Sequence, residues 1–305
     1  MPLKTAVALI LFNRPHLTEA VFSAIAKAQP SQLFLVADGP KCPSDLERCH
    51  QARSVVKRVD WPCEIKTNFS EQNLGCRERI VSGLNWVFSE VDQAIVLEDD
   101  CVPHSCFFAF CETLLERYGD DHRVMEIGGA NYQFGRFTNG HSYYFSKYAH
   151  TYGWATWRRA WRHFDESIST WPHLKQSSQW NLLCNDTKER QYWTTIYDSI
   201  FKGELKTSWD YQWQLARWCH EGVSAVPSVN LVSNIGFGRD ATHTRWKSNP
   251  IANMPTHDIG HIDHPTSITT NEQADRYMFE TVFLGSPLRR TYRAAKILWR
   301  SLQLN

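Results

Sequence analysis

Over its first hundred residues the chain alternates between continuous apolar runs and stretches with helical spacing. Residues 6–12 read AVALILF, 33–37 LFLVA and 94–97 AIVL, with a weaker run, EIKTN, at 64–68. Runs without polar alternation mark strands covered on both faces. Between them, 15–28 opens on Pro15, which suits a first helical turn, and 44–59 and 77–91 repeat apolar residues at helical spacing. Strands alternating with helices predict a mostly parallel sheet flanked by helices, an α/β fold. Ligands of such sheets bind outside the carboxyl ends of the strands. Three polar groups fall on that edge: Asn13-Arg14, Asp38-Gly39 and Glu98-Asp99-Asp100.

Composition narrows the function. A formal charge of +1 and 42% hydrophobic residues over 305 positions describe a folded chain rather than a disordered or nucleic-acid-coating one. Nine cysteines contain no CxxC pair, and Cys101, Cys106 and Cys111 are spaced by five. That scatter argues against a disulfide framework and structural zinc, and suits a reducing cytoplasm. The start, MPLKTAVALILFNRP, reads as a first strand because no small-residue cleavage site follows it. No stretch reaches the roughly 18 apolar residues of a membrane span. Thirteen Trp and eleven Tyr suit either sugar stacking or core packing.

The later chain is less regular. Residues 131–171 are crowded with aromatics, including YGWATWRRAW at 152–161. Residues 172–206 read as an inserted helical or loop segment, 208–221 as a helix, 223–227 as a short strand and 228–265 as loop. Arg289, Arg290, Arg293, Lys296 and Arg300 lie with Leu288, Tyr292, Ile297, Leu298 and Leu302 in a stretch without acids. This reads as a basic amphipathic helix over 286–305, either docked on the domain or touching the anionic inner face of a membrane as a peripheral contact. The expected organisation is one domain over 1–245 and a C-terminal loop and helix over 246–305.

Side chains alternate along a strand, so Glu98 and Asp100 point one way and Asp99 the other. Oxygen ligands without neighbouring His or Cys favour Mg²⁺ or Mn²⁺. A solvated acidic turn, or an N-cap for a helix over 105–118, is the plainer alternative.

Five further stretches accompany the triplet in order: LFNRP at 11–15, VADG at 36–39, GWATWRRAW at 153–161, SWDYQW at 208–213 and NIGFGRDATHT at 234–244. With them the chain resembles nucleotide-sugar glycosyltransferases of the GT-A fold, a Rossmann-like mixed sheet. It is similar to the inverting N-acetylglucosaminyltransferase I family, as a bacterial family-2-like transferase. The resemblance implies that Arg14 and Asp38 hold the nucleoside, that Glu98 faces the donor sugar and Asp99 the ribose, and that Asp100 binds Mn²⁺ or Mg²⁺. It makes Asp210 the catalytic base and Trp209 a wall of the sugar pocket. It also implies a UDP-sugar donor, with GlcNAc one candidate, and a glycan or lipid-linked acceptor. The chain departs from the family at 172–206, which interrupts its spacing, and at Tyr211, which replaces a second Asp.

Beside the resemblance, the Gly-rich loop 234–244 offers Arg239 to a diphosphate and His243 as a further metal ligand, and Trp154 stands as a candidate on the acceptor side. Asp210, between Trp209 and Tyr211, suits a partly desolvated base, and equally an N-cap for the following helix. A sugar nucleotidyltransferase needs an early Gly-rich loop, and LFNRPHLT at 11–18 has no Gly. A non-catalytic carbohydrate-binding protein explains the aromatics but not the acidic strand end.

Overall fold

The computed structural model describes residues 2–136, 140–238 and 249–285. Its strands are β1 (Ala6–Leu11), β2 (Gln32–Ala37), β3 (Glu64–Phe69), β4 (Gln93–Glu98), β5 (Cys101–Pro103), β6 (Val124–Gly128), β7 (Tyr143–Ser146), β8 (Trp154–Trp157), β9 (Val223–Pro227) and β10 (Val232–Asn234). Helices α1 (Pro15–Ala28), α2 (Leu46–Arg53), α3 (Cys76–Glu90), α4 (Cys106–Arg117) and α5 (Arg158–Trp161) lie in the first part. Helices α6 (Trp171–Gln176), α7 (Ser178–Leu183), α8 (Thr187–Phe201), α9 (Asp210–Cys219) and α10 (Glu272–Met278) follow.

Eight strands form one mixed sheet in the order β3-β2-β1-β4-β8-β6-β9-β7, and β10 pairs with β5 in a separate ribbon. The expected parallel half is β3-β2-β1-β4. Every residue of β1 is buried, because alternate side chains enter two different cores. Val7, Leu9 and Leu11 meet Val21, Phe22 and Ile25 of α1, while Ala6, Ala8 and Ile10 meet Leu84 and Val87 of α3. Edge strand β3 carries Glu64 and Lys66, and Lys66 Nζ lies 2.7 Å from Glu90. Charge on an exposed edge discourages pairing with another chain.

Three expectations change in detail. The helix expected over 44–59 is broken into a 3₁₀ turn (Pro43–Asp45), α2 and a second 3₁₀ turn (Ser54–Arg58). The Ser54 hydroxyl donates to Gln51 O at 2.7 Å, and two β-branched valines follow, so the regular ladder ends there. The aromatic 152–161 segment supplies β8, which runs antiparallel between β4 and β6 and makes the sheet mixed. The loop-like 228–265 contains β10, antiparallel to β5 with Asn234 opposite Cys101.

Residues 172–206 are helical, and Leu174, Trp180, Trp193 and Tyr197 pack with Trp171 and Trp218 in a third core. All nine cysteines are free. No described helix is long and apolar enough to cross a membrane. The basic segment 286–305 lies outside the described residues.

Candidate functional site

β4 ends at Glu98, and the chain turns through Asp99 and Asp100 into β5. The Phe12 amide donates to Asp99 Oδ2 at 3.3 Å, and the Arg14 guanidinium bonds Asp99 Oδ1. The same Arg14 Nη2 lies 2.9 Å from Asp100 Oδ2. One guanidinium therefore clamps two carboxylates. Burial works to lower the Arg14 pKa, but Asp99 and Asp100 outweigh it and keep the group charged. Burial, then Asp100 and Asp99, hold the Glu98 carboxyl above the usual carboxylate range. Burial also raises Asp99, against the opposing pull of Arg14. The resemblance gave Asp99 to the ribose; within the protein it pairs with Arg14. At 3% exposure, with both oxygens engaged by Phe12 and Arg14, it positions the arginine.

Asp38, expected at the nucleoside, also has partners within the protein. Its Oδ1 accepts from the amides of Gly39 (2.9 Å) and Leu74 (2.8 Å), and its Oδ2 from Asn73 Nδ2 (2.9 Å) and the Gly75 amide (3.0 Å). A carboxylate offers about four acceptor sites, so all are used. Asp38 braces the 73–75 turn against the edge of the sheet, and that turn rather than the carboxylate faces outward. The reason is topological: the chain returns past β2 after β3 and presents its amides to the strand end.

On the far side of the triplet, Asp210 is the first residue of α9. It is not the cap, because Trp209 holds that position without a side-chain bond. The Ser208 hydroxyl donates to Asp210 Oδ1 at 2.8 Å, and the helix N-terminus favours the negative charge. Electrostatically, Glu98 has Asp100, Asp99, Arg14 and Asp210 as its charged neighbours, so both sides of the site converge. Trp209 stacks on Trp154 at 5.7 Å, with Trp161 and Trp213 behind. Trp154, expected beside an acceptor, is 1% exposed and supports Trp209 from the core instead. Trp157 is also core, its Nε1 donating to Leu115 O at 3.2 Å.

The β5–β10 ribbon brings the Gly-rich loop to the acids. The Ile235 amide donates to Asp100 O at 2.8 Å, and Asn234 Nδ2 to Asp100 Oδ1 at 3.4 Å. A Cβ on Gly236 would lie 2.0 Å from Asp100 Oδ2, so only glycine fits that approach. Arg239 and His243 lie outside the described residues.

Among the described residues no group of three or more His, Cys, Asp or Glu side chains is arranged to hold a metal. The donors gathered here are carboxylate oxygens, the ligand type that hard divalent cations take. Asp99 and Asp100 pair with the Arg14 guanidinium, and Glu98 has Asp100, Asp99, Arg14 and Asp210 as charged neighbours. The sequence reading passed over Asn234, Cys76 and Tyr152 as site residues. Cys76, first in α3, has Glu98, Asp210 and Asp100 as neighbours, and burial followed by these charges keeps its thiol protonated. Nothing in its local sequence marks it, since β4 and α9 approach from elsewhere in the chain.

A cavity of about 610 Å³ opens at the opposite edge, by Val223 at the start of β9, with Lys147, Glu189 and Asp275 in its lining. Its buried acids are satisfied internally. Glu189 pairs with Lys147 Nζ at 2.7 Å, and Asp275 accepts from Ser146 Oγ at 2.5 Å. The chemistry converges at the carboxyl edge, not there.

No family model and no curated protein sequence matches the chain. Among solved structures, UDP-glucose pyrophosphorylase complexed with UDP-glucose matches with a TM-score of 0.26 and 9% identity, over 42% of this chain and 64% of that chain. A likeness at that level carries no weight on function.

Proposed function

We propose that this protein is an inverting glycosyltransferase that moves a sugar, with GlcNAc the first candidate, from a UDP-sugar to a glycan or lipid-linked acceptor. The observation that supports it best is the convergence of Arg14, Glu98, Asp100 and Asp210 at the carboxyl edge of one parallel half-sheet, beside the glycine approach at Gly236.

In this reading the 73–75 turn, braced by Asp38, receives the nucleoside, and Arg14 sits by the phosphates while staying clamped to Asp99. Glu98 faces the sugar. Mn²⁺ or Mg²⁺ held by Asp100 would supply neutralisation of charge on the departing diphosphate. Asp210, fixed by Ser208 and backed by Trp209, accepts the acceptor hydroxyl proton. That oxygen bonds the anomeric carbon from the face opposite the breaking bond to the diphosphate oxygen. Arg239 and His243 belong to this proposal as phosphate and metal contacts.

Release of UDP from a panel of UDP-sugars tests it without knowledge of the acceptor. Asp210→Asn is expected to slow turnover by roughly 10²-fold or more while leaving Mn²⁺-dependent UDP affinity within about two-fold. Full turnover in that variant removes the base.

A further inference from the structure

Tyr152 immediately precedes Gly153, whose positive φ of 63° lets the backbone press between two site strands. A Cβ on Gly153 would lie 3.2 Å from Leu97 Cδ2 and 2.7 Å from Val232 Cγ2. Leu97 adjoins Glu98, and Val232 opens the strand paired with β5 next to Asp100. Tyr152 is therefore pinned beside both stretches that carry the acids. Its ionisable neighbours include Cys101, Asp100, Glu98 and Asp210.

The ring is held from behind. Tyr152 meets Tyr132 edge-on, with centroids 6.2 Å apart at 82°, and Tyr132 stacks on the buried His150 at 5.2 Å and 15°. His150 is itself tied through Nδ1 to Ala130 O at 3.0 Å. Tyr132 is only 5% exposed. Among the described residues, neither phenol hydroxyl has a hydrogen-bond partner. Tyr152 is half-buried, and its hydroxyl is not among the buried polar atoms left without a partner, so it stays open to a ligand hydroxyl. Burial, then neighbouring acidic groups, raise both phenols above their ordinary range, so each keeps its proton.

We propose that Tyr152 is a specificity-determining contact of the donor site, its hydroxyl donating to a hydroxyl oxygen of the hexose carried by UDP, with Tyr132 holding the ring in place. The chemistry is complementary. Glu98, when ionised, accepts a hydrogen bond from a sugar hydroxyl; a neutral phenol donates to the oxygen of the same or the adjacent hydroxyl. A site built to bond a hydroxyl discriminates strongly against ligands that lack it. This rests on the donor reading above.

Calorimetric titration of UDP and of UDP-glucose, UDP-galactose and UDP-GlcNAc, all with Mn²⁺, separates the two ideas. The wild type is expected to bind one UDP-hexose more tightly than UDP. Tyr152→Phe, which keeps the ring and its packing, is expected to leave UDP affinity within two-fold and weaken that UDP-hexose about ten-fold. Tyr132→Phe is expected to weaken it less. Unchanged affinity for the UDP-hexose in Tyr152→Phe, or equal loss for UDP and UDP-hexose, overturns the Tyr152 contact alone. A wild type that binds no UDP overturns the donor site with it.

Discussion

Arg14 Nη2 lies 2.9 Å from Asp100 Oδ2 while the same nitrogen bonds Asp99. Removing the cation leaves two poorly hydrated carboxylates facing each other. Arg14→Met is expected to cost about 3 kcal/mol at pH 8, as for a broken buried ion pair. The loss should shrink at pH 5, where protonation relieves the repulsion. Urea unfolding at the two pH values checks it; an equal loss at both would mean that charge is not what the arginine supplies.

The contact between Gly236 and Asp100 gives a second expectation. The methyl of Gly236→Ala would start 2.0 Å from Asp100 Oδ2, so the loop or the carboxylate must move. Overpacking of this kind costs about 1–3 kcal/mol. Because Asp100 is displaced, Mn²⁺-dependent UDP affinity is expected to fall by more than ten-fold. A variant that binds like wild type would place the nucleotide elsewhere.

Burial lowers His150 from 6.5 to about 4, against the attraction of Glu126. The folded state therefore refuses a proton that the unfolded chain binds between those values. Stability unaffected above about pH 7 falls as pH drops through that window, by roughly 3 kcal/mol at pH 4 and below, at 1.36 kcal/mol per unit. Asp275 works in the opposite sense: burial raises it to about 6, so the folded state gains as its carboxyl takes a proton. Comparing wild type with His150→Gln isolates the histidine. The variant should lose stability less steeply between pH 7 and 4.5, and parallel curves would contradict the assignment.

The parallel half of the fold was legible because β1, β2 and β4 are covered on both faces and so spell unbroken apolar words in the sequence. β8 was not: Trp154–Trp157 is four residues long, and its aromatics serve equally as core or binding surface. The placement of Glu98, Asp100 and Asp210 was legible, because it follows from a strand end and a helix start. The internal partners of Asp38 and Asp99 were hidden because they are backbone amides, the Asn73 side chain and a guanidinium from distant turns. Tyr152 was hidden because its significance depends on Gly153 pressing against Leu97 and Val232, a contact that no local spacing encodes. Trp154 shows the converse error, an aromatic that looked available but is enclosed by three other indoles.

The central claim is that Asp100, with its neighbours at the carboxyl edge, engages a diphosphate through a divalent cation. Titrating UDP into the wild type and Asp100→Ala, each with Mn²⁺ and with chelator, tests it most directly. The account predicts Mn²⁺-dependent binding by the wild type and loss of that dependence in Asp100→Ala. Equal affinity in both proteins, or wild-type binding indifferent to Mn²⁺, would contradict it.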